Sequence, residues 1–263
     1  RFAIFDHDGT LSTLREGWEE VMEPMMVRAV LGPVFDHADE ALYHKVVGRV
    51  RRFIDQTTGV QTLVQMQGLI RLVRETGLVP EGEILDMHGY KKVYNDLLME
   101  RVRDRVGRLR SGELSSQDFL IKNAAVFLEA LVDSGVTCFL ASGTDEEDVR
   151  AEATAMGYAH FFDGGIFGAV GDVAKEAKRL VLDRIMREIA DTPQAVVTFG
   201  DGPVEMRETR LRGGYAIGIA SDEVRRFDLN PGKRARLIRA GAMAIVPDFS
   251  RYGDLLQLLN LPV

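Results

Sequence analysis

Arg1-Phe2-Ala3-Ile4-Phe5-Asp6-His7-Asp8-Gly9-Thr10-Leu11 opens the chain. Phe2 to Phe5 is a short, continuous apolar run, which suits a strand buried on both faces of a parallel sheet. It ends in two carboxylates, Asp6 and Asp8, followed by the turn chemistry of Gly9 and Thr10. Open α/β sheets place their ligands at the carboxyl ends of such strands. Two neighbouring carboxylates repel unless a cation or a shared proton relieves them, so the run predicts a divalent-metal site with one carboxylate free for chemistry. A calcium loop also begins Asp-x-Asp, but counted from Asp6 its sixth position falls on Leu11 rather than Gly. Its twelfth falls on Gly17 rather than Glu.

The rest of the chain bounds what such a site can serve. With 263 residues, 46% hydrophobic and 28% charged, the composition is that of a globular protein with ample core. A net charge of −7 disfavours nonspecific nucleic-acid binding. No apolar segment reaches membrane-spanning length, and a cytoplasmic location is expected. Cys138 is the single cysteine, so there is no intramolecular disulfide. Its setting in the apolar run Val136 to Leu140 marks it as a buried hydrophobe rather than a nucleophile.

Beyond the first strand, helical periodicity takes over. Trp18 to Leu31, interrupted by Pro24, Asp39 to Ile54, Val60 to Val73 and Tyr90 to Leu109 read as four helices, forming an inserted helical module over 15–110. The α/β pattern then resumes. Helices are predicted over Ser115 to Val132, Asp145 to Met156, Ala174 to Ile189, Val204 to Leu211 and Phe249 to Leu259, with loop plus helix over Ser221 to Arg239. Strands are predicted over Val136 to Leu140, Ala195 to Phe199, Tyr215 to Ile219 and Ala242 to Val246, with a short hairpin over Phe161 to Val170. Strands alternating with helices indicate a doubly wound parallel α/β sheet, built from 1–14 and 111–263. Three strands end in polar residues: Asp6 and Asp8, then Ser142, then Asp201.

In that order the chain resembles the haloacid dehalogenase superfamily. Asp6-His7-Asp8-Gly9-Thr10 matches its first motif, the apolar run to Ser142 its second, and Gly200-Asp201-Gly202-Pro203-Val204-Glu205 its fourth. Lys178 fits the third motif better than Lys175 does, although lysines are common on surface helices. The helical insert resembles a C1-type cap on a Rossmann-like core. One departure stands out: the fourth motif commonly carries a second Asp where this chain has Glu205. That residue could reach the metal shell through water, or simply favour the helix start with its charge.

The resemblance implies a phosphatase. Asp6 would be the nucleophile that forms an aspartyl-phosphate, and Mg²⁺ would be held by Asp6, the backbone carbonyl of Asp8, and Asp201. Asp8 would be general acid and then base, while Gly9, Ser142, Gly143 and Lys178 would bind the phosphoryl oxygens. The superfamily's dehalogenases lack the second Asp, so Asp8 favours phosphoryl transfer. The substrate expected is a small phosphorylated metabolite such as a sugar phosphate. In the cap, Thr57, Thr58 and Gln61 either face substrate hydroxyls or cap two helices. The competing readings are a phosphotransferase or phosphomutase, and a noncatalytic binding module that keeps the fold and metal.

Overall fold

A computed structural model of the chain describes residues 1–57, 62–169, 177–188 and 195–262. The chain divides into two compact units, Arg1–Glu16 with Arg105–Val263, and Gly17–Asp104.

The first unit holds a six-stranded parallel sheet. Its strands are β1 (Phe2–Phe5), β2 (Thr137–Asp145), β3 (Gly165–Ala169), β4 (Val196–Gly200), β5 (Tyr215–Ile219) and β6 (Ala244–Val246). They lie in the order β3-β2-β1-β4-β5-β6, so the chain direction across the sheet reverses between β1 and β4, where α/β sheets open a crevice for ligands. Alternate residues of each strand feed opposite faces. Ala3 and Phe5 join a core with Phe127 and Leu131 of α5 (Ala124–Asp133), Val149 and Ala153 of α6 (Glu146–Ala155), and Leu255 and Leu256 of α10 (Tyr252–Leu258). Ile4 instead packs with Leu182 and Ile185 of α7 (Ala177–Glu188). Further along that face, Ala216 meets Met206 of α8 (Pro203–Leu211) and Leu237 of α9 (Pro231–Ala240). Both faces are therefore covered by helices, and this is why β1 reads as an unbroken apolar run.

Phe5 and Phe199 stack at 4.7 Å between centroids, and Phe127 and Phe249 stack at 5.2 Å. Two members of this aromatic block, Phe5 and Phe199, are at the ends of β1 and β4, just ahead of Asp6 and Asp201.

Three local expectations need correcting. The described part of the predicted hairpin, residues 161–169, is not one: a 3₁₀ turn over Ala159–Phe161 leads into β3, an edge strand that pairs in parallel with β2. Ser115 does cap a helical turn, but that turn is a 3₁₀ segment over Ser116–Asp118; Asn123, at φ 61°, breaks the helix before α5 begins. Strand β2 also runs on past Leu140 to Asp145, with its register to β3 shifting between Ala141 and Asp145. Ser142 is thus inside the strand rather than after it.

The second unit is helical, with α1 (Trp18–Leu31), α2 (Glu40–Thr57), α3 (Thr62–Thr76) and most of α4 (Met87–Arg110). Helix α1 lies against α2 and α3. Met22, Met26, Val30, Val46, Val50, Met66, Leu69 and Val73 are buried at their apolar stripes. The Phe53 ring lies over Gly68, where a Cβ would come within 2.5 Å of it. At the end of α2, the Thr57 hydroxyl donates to the Phe53 carbonyl at 2.7 Å and accepts from Gln65 Nε2 at 3.2 Å, which is helix-end capping. Thr58 and Gln61 lie outside the described residues. No described helix is long and apolar enough to cross a membrane.

Candidate active site

Register builds the site. Phe5 lies level with Leu140 on one side and Phe199 on the other, so one step on brings Asp6 level with Ala141 and Gly200. Asp6 N–H donates to the Phe199 carbonyl at 2.9 Å, prolonging the ladder by one bond. Its carboxylate accepts from His7 N–H at 2.8 Å. The loop then folds on itself: the His7 carbonyl accepts from Leu11 and Ser12, and Gly9 N–H donates to Ser12. Gly9 takes φ +69°, a conformation that glycine adopts without steric cost.

Carboxylate oxygens of Asp6, Asp201 and Glu205 lie within 4.8 Å of one another. Asp6 and Glu205 are buried, and the Asp201 side chain is 19% exposed. Glu205 also closes the start of α8 by accepting from Gly202 N–H at 2.8 Å. A Cβ at Gly200 would collide with the Glu205 side chain, and one at Gly202 would sit 3.0 Å from its carboxylate. The glycines flanking Asp201 thus leave room for Glu205 to fold back beside it. Three hard oxygen donors held this close fit Mg²⁺ or Ca²⁺ rather than a soft metal. Among the described residues, two buried side-chain oxygens have no hydrogen-bond partner, Asp8 Oδ1 and Thr10 Oγ1, both in this loop.

Asp8 turns to a different set of partners. Its Oδ2 accepts from the Thr144 hydroxyl at 3.0 Å, and its Oδ1 lies 3.8 Å from Arg15 Nε. Ser142 is buried, with Oγ accepting from Thr144 N–H at 3.1 Å, while Gly143 beside it is exposed. Beneath Asp8, His7 Nε2 donates to Glu152 at 3.1 Å, since a carboxylate only accepts. His7 Nδ1 meets the Tyr158 hydroxyl at 3.0 Å. Arg15 Nη2 reaches Glu152 at 2.6 Å and Asp148 at 3.6 Å. Burial alone would raise the Glu152 pKa, but the hydrogen bonds from His7 and Arg15 outweigh it and hold the group below its ordinary value. Burial pushes the Tyr158 phenol well up, with the Asp8 charge adding to it.

On the far side of the loop, Lys233 Nζ lies 2.7 Å from Asp201 Oδ2 and 2.7 Å from Glu223 Oε1. Burial opposes its charge, yet the two carboxylates, Asp201 first, raise its pKa above the ordinary lysine value.

The structure therefore brings together Asp6, Asp8, Gly9, Ser142, Asp201 and Glu205. Lys178 lies in the first turn of α7, but its side chain and all of Lys175 are outside the described residues. Sequence reasoning missed Thr144, Arg15, Glu152 and Lys233. Thr144 was within sight, two residues past Ser142. Lys233 carried a signal too: it sits in the first turn of a helix, where a cation is disfavoured.

A family model of haloacid dehalogenase-like hydrolases matches residues 1–207. The chain belongs to that family. No curated protein sequence matches it. Among solved structures, it is similar to a β-phosphoglucomutase from Clostridium difficile, with TM-score 0.63 and 12% identity over 98% of this chain and 96% of that one. It is also similar to a predicted phosphatase from Clostridium acetobutylicum, with TM-score 0.61 and 16% identity over 98% of each chain. A haloacid dehalogenase-like family protein from Streptococcus pneumoniae gives TM-score 0.58 and 14% identity, over 97% of this chain and 96% of that one. At these identities the likeness is one of fold.

Proposed function

We propose that this haloacid dehalogenase-like hydrolase is a Mg²⁺-dependent phosphomonoesterase that works through an aspartyl-phosphate. Its substrate would be a small phosphorylated metabolite such as a sugar phosphate. The observation that carries this reading is the convergence of the Asp6, Asp201 and Glu205 carboxylates within 4.8 Å at the sheet's switch point, with Asp8 held apart on Thr144. Three acids so close repel one another and any phosphate, and Mg²⁺ held by Asp6, Asp201 and the Asp8 carbonyl would supply the neutralising charge.

Asp6 attacks the phosphorus through a carboxylate oxygen, forming the Asp6–phosphorus bond as the ester P–O bond breaks. Asp8 gives its proton to the departing alkoxide from Oδ1, which has no hydrogen-bond partner, while Oδ2 accepts from Thr144. Asp8, now ionised, takes a proton from water as that water attacks the phosphorus, freeing Asp6 and inorganic phosphate. Ser142, the Gly143 N–H and Lys178 are the proposed partners of the phosphoryl oxygens.

The test is Mg²⁺-dependent release of phosphate from p-nitrophenyl phosphate by wild type and by Asp6→Asn. Wild type turns over and Asp6→Asn falls by at least about a thousandfold, as expected for loss of the attacking group. Equal rates would remove Asp6 as the nucleophile.

A further inference from the structure

We infer that Lys233 is a positioning residue, which holds the Asp201 carboxylate and the Gly9 backbone in register for cation binding. This rests on the metal-dependent reading above.

The side chain is in an unfavourable place by every local criterion. It lies on the third residue of α9, after the N-cap Asn230, facing the positive end of the helix dipole. It is 5% exposed, and a buried ammonium is costly unless it is paired. The pairing it finds is specific. Nζ bridges Asp201 Oδ2 and Glu223 Oε1 at 2.7 Å each and donates to the Gly9 carbonyl at 3.4 Å. The Ser221 hydroxyl donates to the same carbonyl at 2.8 Å. A Cβ at Gly9 would collide with Asp201 Oδ2 and come 2.8 Å from Nζ, so loop, carboxylate and ammonium are packed in contact. With Oδ2 tethered, the carboxylate is restrained from turning about its Cβ–Cγ bond. The segment after β5 thereby braces both the loop of β1 and the acid of β4. Partners of this kind, one shell out from a metal, typically change its affinity 10–100-fold.

The experiment is titration calorimetry of Mg²⁺ into the full chain, comparing wild type, Asp201→Asn and the pair Lys233→Met with Glu223→Gln. The pair removes one positive and one negative charge, so the net charge of the site is unchanged and any loss of affinity reports orientation. We expect it to raise the Mg²⁺ Kd by about 10–100-fold, and its turnover of p-nitrophenyl phosphate to recover as Mg²⁺ is raised. A wild-type Kd in the folded pair overturns the inference and leaves the metal-dependent reading standing. If the pair does not fold, Lys233→Met alone decides. It makes the site more negative, so charge alone would tighten binding, and an unchanged or lower Kd overturns the inference. If wild type binds no Mg²⁺, or Asp201→Asn binds it as wild type does, the reading and the inference fall together.

Discussion

Gly9 and Gly135 share nearly the same backbone conformation, with φ +69° and +73°, but not the same surroundings. A Cβ at Gly135 meets nothing within 4 Å, whereas at Gly9 the space is taken by Asp201 and Lys233. Left-handed strain for a non-glycine residue costs about 1–3 kcal/mol wherever it occurs. Gly135→Ala should therefore lower the urea-unfolding free energy by about 1 kcal/mol and leave phosphate release unchanged. Gly9→Ala carries the same strain and in addition displaces a carboxylate of the acidic cluster. Its rate should fall more than tenfold, in line with the sensitivity of groups around a metal. Equal rates in the two variants would show that close packing at Gly9 does not matter to the chemistry. The glycine itself was legible from its place after Asp8. The reason it must be glycine was not, because its neighbours stand far away in sequence.

Among the elements, α6 shows how a helix read correctly from its pattern can conceal its role. Its acidic first turn, Glu146, Glu147 and Asp148, marks the helix start. Nothing local distinguishes Glu152, which is 2% exposed and pairs with Arg15 and His7 from the loop of β1. Because the folded state depresses its pKa, its contribution to stability is fully present above the ordinary value of 4.5 and is lost as pH falls through the lower folded value. Glu152→Gln should destabilise the protein by about 3 kcal/mol at neutral pH, as breaking one side of a buried pair does. The gap from wild type should narrow as pH drops below 4.5, where the unfolded chain's carboxylate takes up a proton, and close once pH passes the lower folded value and the native carboxylate is protonated too. Urea midpoints at both pH values check this, and a gap independent of pH would refute it. Strand β3 fails in the opposite way. Gly165-Ile166-Phe167-Gly168-Ala169 is a weak, glycine-rich strand on the sheet edge, and only its pairing with β2 makes it parallel rather than half of a hairpin.

For the whole molecule, the central strands were legible because burial on both faces leaves largely apolar runs that need no partner to be recognised, wholly so in Phe2–Phe5 and broken only by Thr198 in Val196–Gly200. The chain also carries one natural reporter in each compact unit: Cys138 in the sheet unit and Trp18 at the start of α1 in the helical unit. Cys138 is wholly buried on β2, between β1 and β3, and burial, with Asp163 adding to it, pushes its thiol up to about 12 from 9.0. At pH 8 that difference alone lowers the thiolate fraction about a thousandfold, and only the thiolate attacks a disulfide reagent. Labelling in native buffer should therefore be at least about a thousandfold slower than in strong urea. As urea is raised, labelling should begin with the loss of the sheet unit's ellipticity, whatever Trp18 fluorescence reports of the helical unit. Rapid labelling of the native chain would mean that β2 opens without the rest of the sheet. The single core in which Cys138 and Leu140 of β2 are packed with Phe5, Phe127, Phe199 and Phe249 argues against that, since it ties β2 to β1, β4 and α5.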